Sequence, residues 1–225
     1  MKKRTRTLAL SAALLLALAA LLHWPVAAWL EARESWLPAD VHLDAVYILA
    51  GGSGGERGRG VVDWLVAGGR ADRILLPYDD TKGPWSRPDQ QNLTMGEWAL
   101  RGLNAALSEA GLDLPVEVVD LDMRGTDAEV ASLAKLVEGR ADLARIALAT
   151  SRFHIRRTAA RASEHFGKPP GMIPGSATWK NRSPWVVGIE LLKMLRDRMG
   201  LGRVVNRGLW MDSEVGGQKS EVGGR

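Results

Sequence analysis

The chain has 225 residues, 46% of them apolar and 25% charged, a balance that excludes wholesale disorder and suits about one globular domain. It contains no cysteine, which excludes disulfides, a thiol nucleophile, thiolate metal sites and iron–sulfur clusters. Lys2, Lys3, Arg4 and Arg6 account for the net charge of +4: no acid precedes Glu31, and the rest of the chain balances at 26 basic and 26 acidic residues, so no net basic face favours nucleic acid as a partner.

The first predicted element is a membrane segment. Leu8 to Leu22 is an uncharged run of Leu, Ala and Ser, and the apolar character continues to Leu30 past His23 and Pro25. About 23 helical residues at about 1.5 Å each span roughly 34 Å, enough to cross a bilayer core of about 30 Å. The pattern predicts one N-terminal transmembrane helix within residues 1–30, single-pass in the inner (cytoplasmic) membrane. Its basic tip stays in the cytoplasm, and Trp24, Trp29 and Trp36 lie at the outer interface. A cleavable signal peptide, with core Leu8–Leu22 and a cleavage site at Val26-Ala27-Ala28, is the competing reading. Both export the rest of the chain to the extracytoplasmic side. Residues 31–43 read as a linker.

From residue 44 to 200 strand and helix signals alternate. Asp44 to Ala50 is a continuous apolar run with β-branched and aromatic members, as expected of a buried parallel strand. A glycine-rich loop, Gly51 to Gly60, leads to a helix carrying Val61, Val62, Leu65 and Val66 and stopped by Gly68-Gly69. Arg73 to Tyr78 reads as the second strand and Asp79 to Gln90 as a polar, proline-containing loop. Leu93, Leu100, Leu103 and Leu107 fit one helix face ending at Gly111, and Val116 to Val119 reads as the third strand. Thr126-Asp127-Ala128-Glu129 has the spacing of a capping box opening a helix with Val130, Leu133 and Val137 inward. Ile146 to Ala149 is the fourth strand, followed by a helix from about Phe153 to Phe166, a weak strand near Met172-Ile173 and a last helix from Trp185 to Met199. Trp64, Trp98 and Trp185 sit on helical patterns and are expected in the core. The stretch 201–225, with Ser-Glu-Val-Gly-Gly twice, reads as an extension ending in a disordered tail. The fold class is therefore α/β: a Rossmann-like parallel sheet with helices on both faces, preceded by the transmembrane helix.

Such sheets bind ligands beyond the C-terminal ends of their strands, which directs attention to the loops there. Gly51, Gly52 and Ser53 follow the first strand and open a helix; glycines let backbone N–H groups approach a phosphate. Arg57 and Arg59 follow and either can pair with an anion in bidentate fashion. Asp79, after the second strand, can orient His154 or cap its own turn. After the fourth strand comes the densest polar cluster, Thr150-Ser151-Arg152-Phe153-His154-Ile155-Arg156-Arg157. There Ser151 and Arg157 suit a phosphate or carboxylate, and His154 is the candidate catalytic acid or base. Arg156 and Arg161 are expected in solvent. No H-x-H or H-E-x-x-H spacing suggests a metal, and no cofactor is named by any motif. Gly51 to Gly55 also matches the G-x-S-x-G nucleophile elbow, so a serine hydrolase using Ser53 and His154 stands as an alternative.

The strand ending Ile48-Leu49-Ala50-Gly51-Gly52, the arginine at 57 or 59, Gly125-Thr126-Asp127-Ala128-Glu129, Thr150 to Arg157, and Val187-Gly188-Ile189-Glu190-Leu191-Leu192 together resemble the YdcF/SanA/ElyC-like family, domain of unknown function 218, over about residues 44–200. The most specific element is Thr-Ser-x-x-His-x-x-Arg. The resemblance implies a Rossmann-like fold and a role in bacterial cell-envelope maintenance, in some members peptidoglycan assembly or polyprenyl-phosphate carrier metabolism. It also implies a pocket drawn from Gly51, Gly52, Arg57 or Arg59, Thr126, Ser151, His154, Arg157 and Glu190. The expected partners are the membrane and a phosphorylated small molecule or lipid carrier. A non-catalytic envelope scaffold or sensor module is the other alternative.

Overall fold

The computed structural model describes residues 21–51, 54–178 and 183–199. The predicted basic tip and apolar run up to residue 20, Gly52, Ser53, and the extension 201–225 lie outside the described residues. The chain divides into two compact units, Met1–Val187 and Gly188–Arg225. In the second, the described residues are the distal part of helix α6 (Pro184–Arg198) and Met199.

The first unit is built on a five-stranded, all-parallel sheet. Its strands are β2 (Ala45–Ile48), β4 (Ile74–Pro77), β7 (Val116–Val119), β8 (Ile146–Thr150) and β9 (Gly171–Pro174), in the order β7-β4-β2-β8-β9. Every residue of β2, β4 and β8 is buried, which is why these strands read as unbroken apolar runs. Alternation along each strand splits the core in two. Val46, Ile48, Ile74, Leu76, Ala147 and Ala149 face helices α2 (Gly54–Val66) and α3 (Met95–Glu109). Tyr47, Leu49, Leu75 and Leu148 face helices α4 (Thr126–Glu138) and α5 (Ile155–His165). The sheet grows from β2 outward through β4 to β7, then resumes on the other side with β8 and β9. The junction of β2 and β8 is the point where the order reverses, and open sheets of this kind bind ligands outside their strand ends at such a point.

The expected transmembrane helix is corrected by the structure: among the described residues no helix is long and apolar enough to cross a membrane. Residues 21–30, the last ten counted toward that span, form a helix (α1) that docks on the domain instead. Ala27 and Leu30 are buried. Arg156 Nε donates to the Trp29 carbonyl at 2.6 Å, its guanidinium lies 4.4 Å from the Trp29 ring centroid, and it pairs with Glu34 at 2.7 Å. A turn packed on protein and bonded to a charged side chain does not count toward a lipid-embedded length. Arg156 is accordingly a docking residue, not the solvent residue expected.

Three local differences matter for the site. The predicted loop after the second strand contains an antiparallel hairpin, β5 (Lys82–Ser86) with β6 (Gln91–Thr94). Pro84 is accommodated because the pair stands outside the main sheet as a two-stranded ribbon. Leu93, expected on a helix, is buried in β6, and α3 starts at Met95. The start is set by a capping box: Glu97 N donates to Thr94 Oγ1 (3.1 Å) and Thr94 N to Glu97 Oε2 (2.7 Å). The box expected at Thr126 is not formed. Gly125, at φ 128°, takes the cap position, Thr126 is the first helical residue, and Glu129 turns into the protein. Of the tryptophans expected in the core, Trp64 is buried, Trp98 is half-buried and Trp185 is 76% exposed. Two further short parallel strands, β1 (His42–Leu43) and β3 (Arg70–Ala71), pair beside the main sheet.

Candidate functional site

The C-terminal ends of β2 and β8 bring together most of the polar residues that are buried in the domain. Leaving β2, the backbone passes Leu49 and Ala50 and turns at Gly51, whose φ of 84° is open to glycine and strained for other residues. Arg57, on α2, is 4% exposed and joins the two strand ends. Its Nη1 donates to the carbonyls of Leu49 (2.7 Å) and Ala50, and its Nε donates to Ser151 Oγ at 3.2 Å. Its Nη2 makes no hydrogen bond among the described residues. Burial pushes the Arg57 guanidinium below its ordinary value, the nearby Arg157 charge adds to that, and Glu129 and Glu56 oppose it.

On the β8 side, Ser151 is 4% exposed and precedes a short 3-10 turn, Arg152–His154, that leads into α5. One turn further on, Arg157 is 8% exposed. Its Nη2 lies 2.7 Å from His154 Nε2 and 3.2 Å from Nδ1. A guanidinium only donates, so whichever ring nitrogen it bonds is the acceptor. Two buried arginines thus hold the same turn from opposite ends, Arg57 at Ser151 and Arg157 at His154.

Behind the loop lies a second buried group that sequence reasoning missed. Tyr47 Oη donates to Glu129 Oε1 at 2.8 Å, and the same oxygen accepts the Ala50 N–H at 2.7 Å. Glu129 is 4% exposed. Burial raises its pKa above the usual carboxylate range against the pull of Ala50 N–H, Tyr47 and Arg57, and burial beside Glu129 also raises that of Tyr47. The Ala50 peptide is consequently gripped on both sides, its N–H by Glu129 and its carbonyl by Arg57. A signal was present in the sequence. Glu129 lies four residues before Leu133, on the buried stripe of α4, where a carboxylate needs a partner.

Of the predicted site residues, Gly51, Arg57, Ser151, His154 and Arg157 converge at this junction. Asp79 lines a pocket next to it, over the ends of β2 and β4. Arg59 points away: its side chain is 61% exposed and pairs with Glu109 at 3.3 Å. Thr126 opens α4 without a side-chain cap bond. Glu190 is on α6 in the second unit, 3.7 Å from Lys193. Asp127, Glu164 and His165 place ligand-type atoms within 4.8 Å of one another, but Arg161 already pairs with Asp127 (3.6 Å) and Glu164 (2.8 Å), so the cluster reads as an ion-pair network. No family model, curated protein or solved structure matches the chain.

Proposed function

We propose that the domain binds an anionic ligand, a phosphorylated small molecule or lipid carrier, at the junction of β2 and β8. The observation that carries this reading is the pair of buried arginines bracketing the Ser151–His154 turn where the strand order reverses. A guanidinium is a fork of donors suited to phosphate, and inside the protein its charge is screened far less than at the surface. Gly51 brings backbone to the same edge, and Ser151 adds a hydroxyl. If the bound group is transformed, His154 is the residue placed to move a proton. With it we propose the envelope role that the family resemblance implies.

The test is thermal unfolding of the full chain with inorganic phosphate, sulfate, carboxylates and a short polyprenyl phosphate. A ligand at 100 times its dissociation constant should add about 2.7 kcal/mol, and Arg157→Gln should abolish the gain. Failure of every anion to stabilise a folded chain would remove the reading and leave a ligand-free scaffold in its place.

A location goes with this function. We propose that α1 contacts a lipid surface without crossing it, because Leu21, Leu22, Trp24 and Trp29 are exposed (73%, 51%, 57% and 47%) on a helix whose Ala27 and Leu30 face the domain.

A further inference from the structure

We infer that the ligand is an anion carried on a compact organic group bearing a hydrogen-bond donor. The anion is held at the β2–β8 junction, and the organic group lies over the ends of β2 and β4 with its tip in the small pocket there. This inference rests on the anion-binding reading and extends it to the class of molecule bound.

The pocket and the anion site share one piece of backbone. Ile48 to Gly51 forms one pocket wall, and it is the same stretch whose Leu49 and Ala50 carbonyls Arg57 holds. Leu76 and Pro77 form a second wall, and Met95 and Ala99 of α3 a third. These walls are apolar, and the small hollow they frame, about 20 Å³, takes the tip of an organic group whose remainder lies at the mouth beside Asp79. A bare second anion would lose its hydration there with nothing to replace it.

Asp79 is the ionisable residue among those lining the pocket. Its Oδ1 accepts the Thr81 N–H at 3.0 Å, while its Oδ2 makes no hydrogen bond among the described residues. A half-buried carboxylate oxygen at the mouth of an apolar pocket accepts from a hydroxyl or an ammonium and repels phosphate. The polarity is therefore divided across the end of β2, with Arg57 and Arg157 toward β8 and Asp79 toward β4. One molecule satisfies both halves only if its anionic end is joined to a donor-bearing end.

Backbone contacts fix this geometry. Gly96 N donates to the Asp79 carbonyl at 2.9 Å. A Cβ on Gly96 would lie 3.0 Å from that oxygen and 3.1 Å from the Asp79 nitrogen, so glycine is what lets the start of α3 close on Asp79.

The experiment compares four phosphates on the full chain by calorimetry: inorganic phosphate, butyl phosphate, glycerol phosphate and ethanolamine phosphate. One or both donor-bearing esters should bind about tenfold more tightly than the first two, the scale of a hydrogen bond to a charged group. Glycerol against ethanolamine phosphate separates hydroxyl from ammonium recognition. Asp79→Asn should bring the ratio of donor-bearing ester to butyl phosphate to about one, because an amide nitrogen then faces the donor. Ala99→Leu, which fills the pocket, should weaken every ester relative to inorganic phosphate. Equal binding of all four phosphates would overturn the inference and leave the anion-binding reading standing. Butyl phosphate binding as tightly as the donor-bearing esters would overturn the role of Asp79. No binding of any phosphate, inorganic included, would overturn the anion-binding reading itself.

Discussion

Tyr47 Oη and Glu129 Oε1 meet at 2.8 Å across 82 residues of chain, joining the first main-sheet strand to the inner face of α4. The bond has a local consequence. Because the same carboxylate oxygen holds the Ala50 N–H, α4 fixes the loop that Arg57 holds from the opposite side.

Glu129→Ala leaves the Ala50 N–H and the Tyr47 hydroxyl buried without that acceptor. Each orphaned group costs about 1–3 kcal/mol, so this variant should be clearly destabilised. Glu129→Gln keeps an acceptor oxygen and should differ from the native chain mainly in its pH dependence. Burial raises the folded-state pKa of Glu129 above the unfolded value. Its contribution relative to glutamine is thus fully present below about pH 4.3 and is lost as pH rises through the raised folded value. Denaturant unfolding of the native chain and the Glu129→Gln variant at a series of pH values, from acid to neutral, should show the stability difference moving in favour of the variant as pH rises. Parallel curves would mean that the carboxyl group carries no proton linkage to folding.

How much of this was readable in the sequence depends on the range of the interaction. Asp44–Ala50 and Ile146–Ala149 are legible as strands because burial on both faces makes each an apolar run in one dimension. Gly51, Arg57 and Ser151 are legible as a site because each stands close after a strand end. The choice between Thr94-x-x-Glu97 and Thr126-x-x-Glu129 is not legible locally. Both have the capping spacing, but at the second Gly125 takes the cap and Tyr47 and Ala50 claim the glutamate from far along the chain. Periodicity likewise placed Trp185 on a helix face without saying what covers that face, and it is exposed. The hairpin Lys82–Thr94 is not legible locally because a two-stranded ribbon with a proline and a register shift has little alternation to read.

Gly60 is the glycine on which the placement of α2 depends. A Cβ there would lie 2.3 Å from the Pro174 carbonyl oxygen and 2.6 Å from Gly175 Cα, backbone that cannot rotate away. Gly175 in turn donates to the Thr150 carbonyl (2.7 Å) and accepts from Arg152 Nε (3.0 Å), so a shift there reaches the β8 turn. Alanine gains about 1 kcal/mol in helix propensity, but overpacking a rigid contact costs about 1–3 kcal/mol, and at 2.3 Å the clash should win. Thermal unfolding should show Gly60→Ala destabilised and Gly55→Ala neutral or stabilised, since among the described residues nothing lies within 4 Å of a Cβ at Gly55. A stabilised Gly60→Ala would show that α2 has room to move off β9.

The proposed lipid contact can be read directly because the chain has no cysteine, so a single introduced one reports a single place. Leu22→Cys puts the probe on the exposed side of α1, and Ser108→Cys puts it on exposed α3 as a control. Each full-length variant would carry a polarity-sensitive fluorophore and meet vesicles of neutral or anionic lipid. Apolar and tryptophan side chains at 21, 22, 24 and 29 favour the membrane–water boundary, and Lys2, Lys3, Arg4 and Arg6 each add about 1 kcal/mol of attraction to an anionic surface. Emission at position 22 should therefore shift to the blue, more strongly with anionic vesicles, while emission at 108 stays constant. Substituting Trp24 and Trp29 by serine should weaken the shift. No shift at 22, or equal shifts at both positions, would mean that this face of α1 does not meet lipid and that its exposed side chains serve another contact.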